Sequence, residues 1–200
     1  MPGRPRGLFL AITAASLMTQ AAGCTATSTP QANPGGSKSI MTATAGKARF
    51  GAGEPVVVTV TVTSREKAAC RMAGVPDGVV TIASVTRDGA PVVPALSEGQ
   101  YIDGFNAVIT GNSVSVDPGK AVSMALTSES PDTAAAGSAA VLTSSVQAGN
   151  DGASIARWPV GRPGTYVVDL AYRMPPVKLP SAACAVSADP VSVSFAVAGS

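Results

Sequence analysis

The sequence predicts an all-β fold: an antiparallel β-sandwich of seven to eight strands, carried behind an N-terminal leader and a flexible linker. Three observations predict it. The first is alternation. Val56, Val58, Val60 and Val62 fall on one face of a segment whose other face is Val57, Thr59, Thr61 and Thr63, the period of a half-buried strand. The second is punctuation. The chain holds 21 Gly and 16 Pro in 200 residues, which breaks it into short pieces and discourages long helices. The third is composition. Hydrophobic residues make up 46% but aromatic ones only 4%, and the apolar share is mostly Ala and Val. Val and Thr favour a pleated surface packed on one side.

The leader comes first. Arg4 and Arg6 precede a short apolar run from Gly7 to Met18, interrupted by Thr13 and Ser16 and followed by Thr19 and Gln20. This is too short and too broken to span a membrane, and it reads as an export signal. Ala21-Ala22-Gly23-Cys24 resembles the lipobox of bacterial lipoproteins, with Ala21 where that pattern prefers Leu. The resemblance implies a signal peptide over residues 1–23, a diacylglycerol on the Cys24 thiol and cleavage just before it. It implies a domain anchored to the cell membrane or outer membrane and facing the extracytoplasmic side. Two or more acyl chains would hold it stably, at about 0.8 kcal/mol per buried methylene. The alternative is an ordinary secretory signal with Cys24 merely nearby.

Residues 24–39 follow as a tether. They lack aromatic and large aliphatic side chains, so they bury too little apolar surface to offset chain entropy. The domain proper runs from 40 to 200. Its expected strands are 56–63, 79–86, 105–110, 121–127, 139–146, 165–172 and 191–197. Asp88-Gly89, Gly111-Asn112, Asp117-Pro118-Gly119, Asp151-Gly152 and Pro163-Gly164 supply the turns between them. Residues 128–140, rich in Ala, Ser, Asp and Gly, are expected as a loop; a short helix opened by Asp132 is the alternative.

Cys70 and Cys184 remain once Cys24 is lipidated. In an oxidising compartment an even remainder invites a disulfide. Closing a loop of roughly 115 residues is worth about 4–5 kcal/mol in the chain-entropy model. The alternatives are two free thiols, or a soft-metal site that adds Met72 or Met174.

Several stretches resemble bacterial immunoglobulin-like domains, among them the intracellular proteinase inhibitor (BsuPI-like) domains. They are Ala48 to Val56 running into the first strand, the Arg87-Asp88-Gly89-Ala90-Pro91-Val92 hairpin, Val116 to Ala121 with its Pro-Gly turn, and Trp158 followed by Arg162-Pro163-Gly164-Thr165-Tyr166-Val167-Val168. Together they cover about a third of the domain. The resemblance implies an Ig-like sandwich with Tyr166 at a sheet corner, its hydroxyl on backbone. The family name implies protease inhibition, but no residue here matches an inhibitory contact.

The chain contains no His. That removes Ser–His–Asp triads, Cys–His dyads and His-ligated metal sites. Removing Arg4 and Arg6 from the 14 basic side chains leaves 12 against 12 acidic ones, so no basic cluster meets nucleic acid. Ser64-Arg65-Glu66-Lys67 spells Ser-x-x-Lys, but it ends a strand and its Lys-Thr-Gly partner is absent; it reads as a solvated turn. Asn150-Asp151-Gly152 and Tyr101-Ile102-Asp103-Gly104 read as turns before calcium loops. No cofactor or metal is called for.

The segment from Pro94 to Phe105 is the candidate partner-binding loop, with Tyr101, Ile102 and Phe105 as its anchors. The competing and favoured reading has Tyr101 and Phe105 plugging the open end of the sandwich. Trp158 reads as core. The expected function is a non-enzymatic, membrane-anchored binding or accessory module in the cell envelope, its partner another envelope protein. The alternative is an extracytoplasmic protease or hydrolase inhibitor, for which Arg173 to Pro180 is the candidate contact segment.

Overall fold

A computed structural model describes residues 38–100, 104–129, 140–148 and 152–199. The chain there is all-β, with one short helix. Its strands are β1 (Ile40–Ala45), β2 (Arg49–Phe50), β3 (Val57–Thr63), β4 (Cys70–Ala73), β5 (Val80–Arg87), β6 (Ala90–Pro91), β7 (Ala95–Gln100), β8 (Ser113–Val116), β9 (Ala121–Thr127), β10 (Val141–Ala148), β11 (Gly152–Pro159), β12 (Gly164–Tyr172) and β13 (Val191–Val197). The count exceeds the seven or eight expected. The additions are mostly short or weakly alternating, such as β2, β4, β6 and β8, and carry no sequence period long enough to see.

Four sheets result, ordered β1-β3-β9, β10-β11-β7, β2-β13-β12-β5-β6 and β4-β8. All pairings but one are antiparallel; β2 runs parallel to β13. The alternating valines of β3 behave as their period requires: Val58, Val60 and Val62 are buried and the residues between them half-buried. At one edge of this strand Met41 of β1 faces Val62, and at the other Met124 of β9 faces Val60.

The largest sheet is built around β12, which hydrogen-bonds to β13 on one side and β5 on the other. Its even residues Tyr166, Val168, Leu170 and Tyr172 are buried. On β5 the buried residues are Val80, Ile82 and then Val85, a break in period two. The register explains it. Ser84 faces Asp169 and Ile82 faces Leu170, so Ala83 is an extra residue that resets the phase. Buried side chains from all four sheets meet in one apolar cluster, where Phe195 stacks on Tyr166 and meets the Phe50 ring edge-on.

One expected strand is a helix. Residues 105–110 lie in α1 (Phe105–Gly111). Their apolar residues fit period two through 105, 107 and 109, and also fit a helical face through Phe105 and Ile109. Packing decides between them: Phe105 and Ile109 are buried and Ala107 is exposed. Gly104 enters the helix at φ 77°, and Asn112 ends it, its side-chain N–H donating to the Val108 carbonyl at 2.8 Å.

Candidate functional site

Cys24, Tyr101 and Ile102 lie outside the described residues, as do Asn150, Asp151, Asp103 and most of the 128–140 stretch. Phe105 does not serve as a surface anchor. It is 1% exposed, and its ring lies so close over Gly78 that a Cβ there would come within 2.3 Å of it. An aromatic ring opening a helix beside a glycine hollow finds more apolar contact inward than at the surface. Trp158 is buried, as a lone Trp in the core should be.

Cys70 and Cys184 are joined in a disulfide, with their Cα atoms 5.0 Å apart. Backbone pairing brings them together. The Arg71 N–H donates to Ala182 and the Cys184 N–H donates to Arg71, so residues 182–184 run beside β4. The Ser64 hydroxyl is buried rather than solvated. It sits 3.5 Å from the Cys70 sulfur and accepts the Glu66 N–H, while Lys67 points outward on a bend. The Ser-x-x-Lys spelling therefore builds no helical nucleophile site.

Two concavities among the described residues bear on function. One is an apolar groove of about 770 Å³ lined by Val146, Tyr172, Met174, Val186 and the Cys184 end of the disulfide. The other, about 390 Å³, lies where two turns meet, and it gathers polar groups. The first turn joins β5 to β6. Asp88 and Gly89 both have positive φ, the two-residue hairpin turn that an Asp-Gly step favours. The second is Arg162-Pro163-Gly164, leading into β12.

Asp88 locks the two turns together. Its N–H donates to the Thr165 carbonyl, and its carboxylate accepts the Thr165 N–H at 2.8 Å. Gly164 is required at this contact. Its φ is 146°, and a Cβ would stand 2.6 Å from the Asp88 carboxylate and 2.9 Å from Arg87 Cγ.

The joined turns bring Arg87, Arg162 and Tyr166 to one cleft, whose remaining wall is Ala90, Pro91, Val92, Val93 and Pro159. The Tyr166 hydroxyl donates to the Arg162 carbonyl at 2.9 Å, the corner bond expected of it. Burial raises the Tyr166 hydroxyl above its ordinary pKa, and the neighbouring Arg87 guanidinium only partly opposes this. No carboxylate lines the cleft among the described residues, and neither arginine is in a described ion pair.

Apolar side chains stand exposed beside it. Val93 is 80% exposed and lines the cleft, and Leu96, three residues on, is 73% exposed. Leu96 lies on β7, which among the described residues pairs only with β11 and leaves its other edge free. The stretches that carry the cleft arginines were legible as a hairpin turn and a Pro-Gly turn. Their convergence was not, since 77 residues separate Asp88 from Thr165.

Among the described residues no group of three or more His, Cys, Asp or Glu side chains is placed to hold a metal ion, and no helix is long and apolar enough to cross a membrane. Comparison with protein families, curated proteins and solved structures finds no match to this chain.

Proposed function

We propose that this chain is a non-enzymatic lipoprotein, lipidated on Cys24 and displayed on the extracytoplasmic side of a bacterial membrane, where its β-domain docks an envelope protein. The observation that carries the docking half is the exposure of Val93, which lines the polar-centred cleft, and of Leu96 on a strand edge unpaired among the described residues. Exposed large aliphatics beside a concave site mark a contact surface, because a monomer gains nothing by leaving them in water. The anchoring half is supported by the basic n-region, the short apolar run and the small residues before Cys24. The disulfide fits an oxidising compartment. The absence of His supports a non-catalytic role. The immunoglobulin-like and BsuPI-like resemblance belongs to this same reading as a proposal about the domain type.

The test is a photo-crosslinking amino acid at Leu96 in living cells, with one at the exposed Arg49 as the comparison. A single dominant envelope protein trapped from Leu96 supports the docking module, and diffuse labelling identical to that from Arg49 sinks it. Fatty-acid labelling lost in Cys24→Ser tests the anchor separately.

A second reading is inhibition of an extracytoplasmic hydrolase. It is favoured by the segment from Arg173 to Pro180, in which Arg173, Pro176, Lys178 and Pro180 are exposed. Met174 and Val177 pack against the core there, and the Arg173 N–H holds the Val79 carbonyl. An exposed stretch held at Met174 and Val177 is the shape a protease grips. Cleavage within it by broad-specificity proteases, with their activity unchanged, eliminates this reading.

A further inference from the structure

We propose that the cleft between Arg87 and Arg162 binds a peptide carboxylate, with Val93 and Pro91 receiving the apolar side chain next to it. The inference goes further than the docking reading and takes from it only the peptide as the source of the carboxylate. Two arginines from turns far apart in sequence line one small concavity with no acidic side chain on its described wall. Like charges brought together without a counter-ion favour an anion supplied from outside.

The nearest carboxylate is already engaged. Asp88 follows Arg87 directly, but it accepts the Thr165 N–H and packs against Gly164, serving the joint between the turns. The Tyr166 hydroxyl, which lines the same cleft as Arg87, donates its proton to the Arg162 carbonyl, and as a neutral neighbour it leaves the charge of Arg87 uncancelled.

The rest of the molecule makes this local charge unusual. Beyond the leader the side chains balance, 12 basic against 12 acidic, so no general positive field explains the pair. The size also selects. A concavity of about 390 Å³ holds a few side chains of a peptide and not a folded surface. Apolar walls beside two arginines suit a carboxylate next to an aliphatic group.

The experiment uses the full-length lipidated protein in detergent micelles and fluorescence anisotropy. Three labelled hexapeptides of matched apolar sequence serve as probes. One ends in a free carboxylate, one is amidated with an acidic side chain next to last, and one is amidated and uncharged. Binding of either charged probe but not the uncharged one is expected. The probe that binds tells whether a chain end or a side chain supplies the carboxylate.

Arg87→Gln and Arg162→Gln should each weaken that binding roughly tenfold or more, the scale of a lost charge-assisted hydrogen bond. Arg49→Gln, an exposed arginine on β2 at the far edge of the same sheet, should leave it unchanged. Arg162 is exposed, so its variant tests the idea even if Arg87→Gln disturbs the Tyr166 corner. Equal binding of all three probes, binding of none, or an equal loss in Arg49→Gln overturns the inference. A partner trapped at Leu96 without carboxylate binding removes the cleft ligand alone. Carboxylate binding with no trapped partner removes the docking module and leaves the cleft.

Discussion

β12 and β7 are both antiparallel strands, yet they solve opposite problems. β12 has neighbours on both edges and buries Tyr166, Val168, Leu170 and Tyr172. β7 pairs along one edge among the described residues and leaves Ala95, Leu96 and Glu98 exposed. The two Leu residues make the contrast concrete: Leu170 is 1% exposed and Leu96 73%. The same side chain stabilises the fold in one strand and offers contact area in the other. An apolar residue in a strand therefore marks the core only where its neighbours two positions away share its burial.

The comparison can be broken or sharpened by experiment. The largest expected effect is at the disulfide that ties β4 to the segment before β13. Replacing Cys70 and Cys184 together by Ala should lower stability by about 4–5 kcal/mol on the chain-entropy model, read by urea unfolding. A loss under about 1 kcal/mol would show that the backbone pairing of residues 182–184 holds that region unaided.

Next comes the Leu pair itself. Leu170→Ala should cost about 2–5 kcal/mol by the cavity it leaves. Leu96→Ala should shift stability by less than about 0.5 kcal/mol. Similar losses at both sites would end the distinction between the two strands.

Gly164→Ala should follow, at about 1–3 kcal/mol. It forces an unfavourable φ and drives a Cβ into Asp88 and Arg87. Thermal unfolding measures it, and weakened carboxylate binding should accompany the loss because the cleft is built on that joint.

The smallest effect is electrostatic. Asp169 of β12 accepts the Ser192 and Ser84 hydroxyls at 2.6 and 2.5 Å, and these bonds hold its carboxyl below the ordinary carboxylate value. A folded-state pKa below the unfolded one means that the bonds stabilise the fold above the unfolded value, about 3.9. That contribution fades as pH falls through the folded value. Asp169→Asn should flatten the acid end of the stability profile slightly, since the group is largely solvated and screened. An unchanged profile below pH 4 would show that the serines add nothing.

How much of this was legible follows from what each signal depends on. β3, β9, β12 and β13 could be read because apolar alternation is local and burial on one face follows from it. β7 carries Ala-Leu-Ser-Glu-Gly-Gln, in which apolar residues do not alternate, and Ala95, Leu96 and Glu98 are exposed. The helix at Phe105 was hidden because six residues satisfy both periods, and only a neighbouring hollow at Gly78 chooses. The candidate contact loop was placed at Tyr101, Ile102 and Phe105; of these, the one within the described residues turned inward.

By itself the sequence determined the all-β class, the Asp88-Gly89 and Pro163-Gly164 turns and the availability of Cys70 and Cys184 for pairing. These depend on the conformational preferences of a few adjacent residues and on the count of thiols. Tertiary structure decided which turns touch. Arg87 and Arg162 share a cleft because β5 and β12 pair in one register, with Ala83 bulged out and Asp88 seated on Thr165. That register is set by side chains buried across the whole sheet, and no stretch of neighbouring residues contains it.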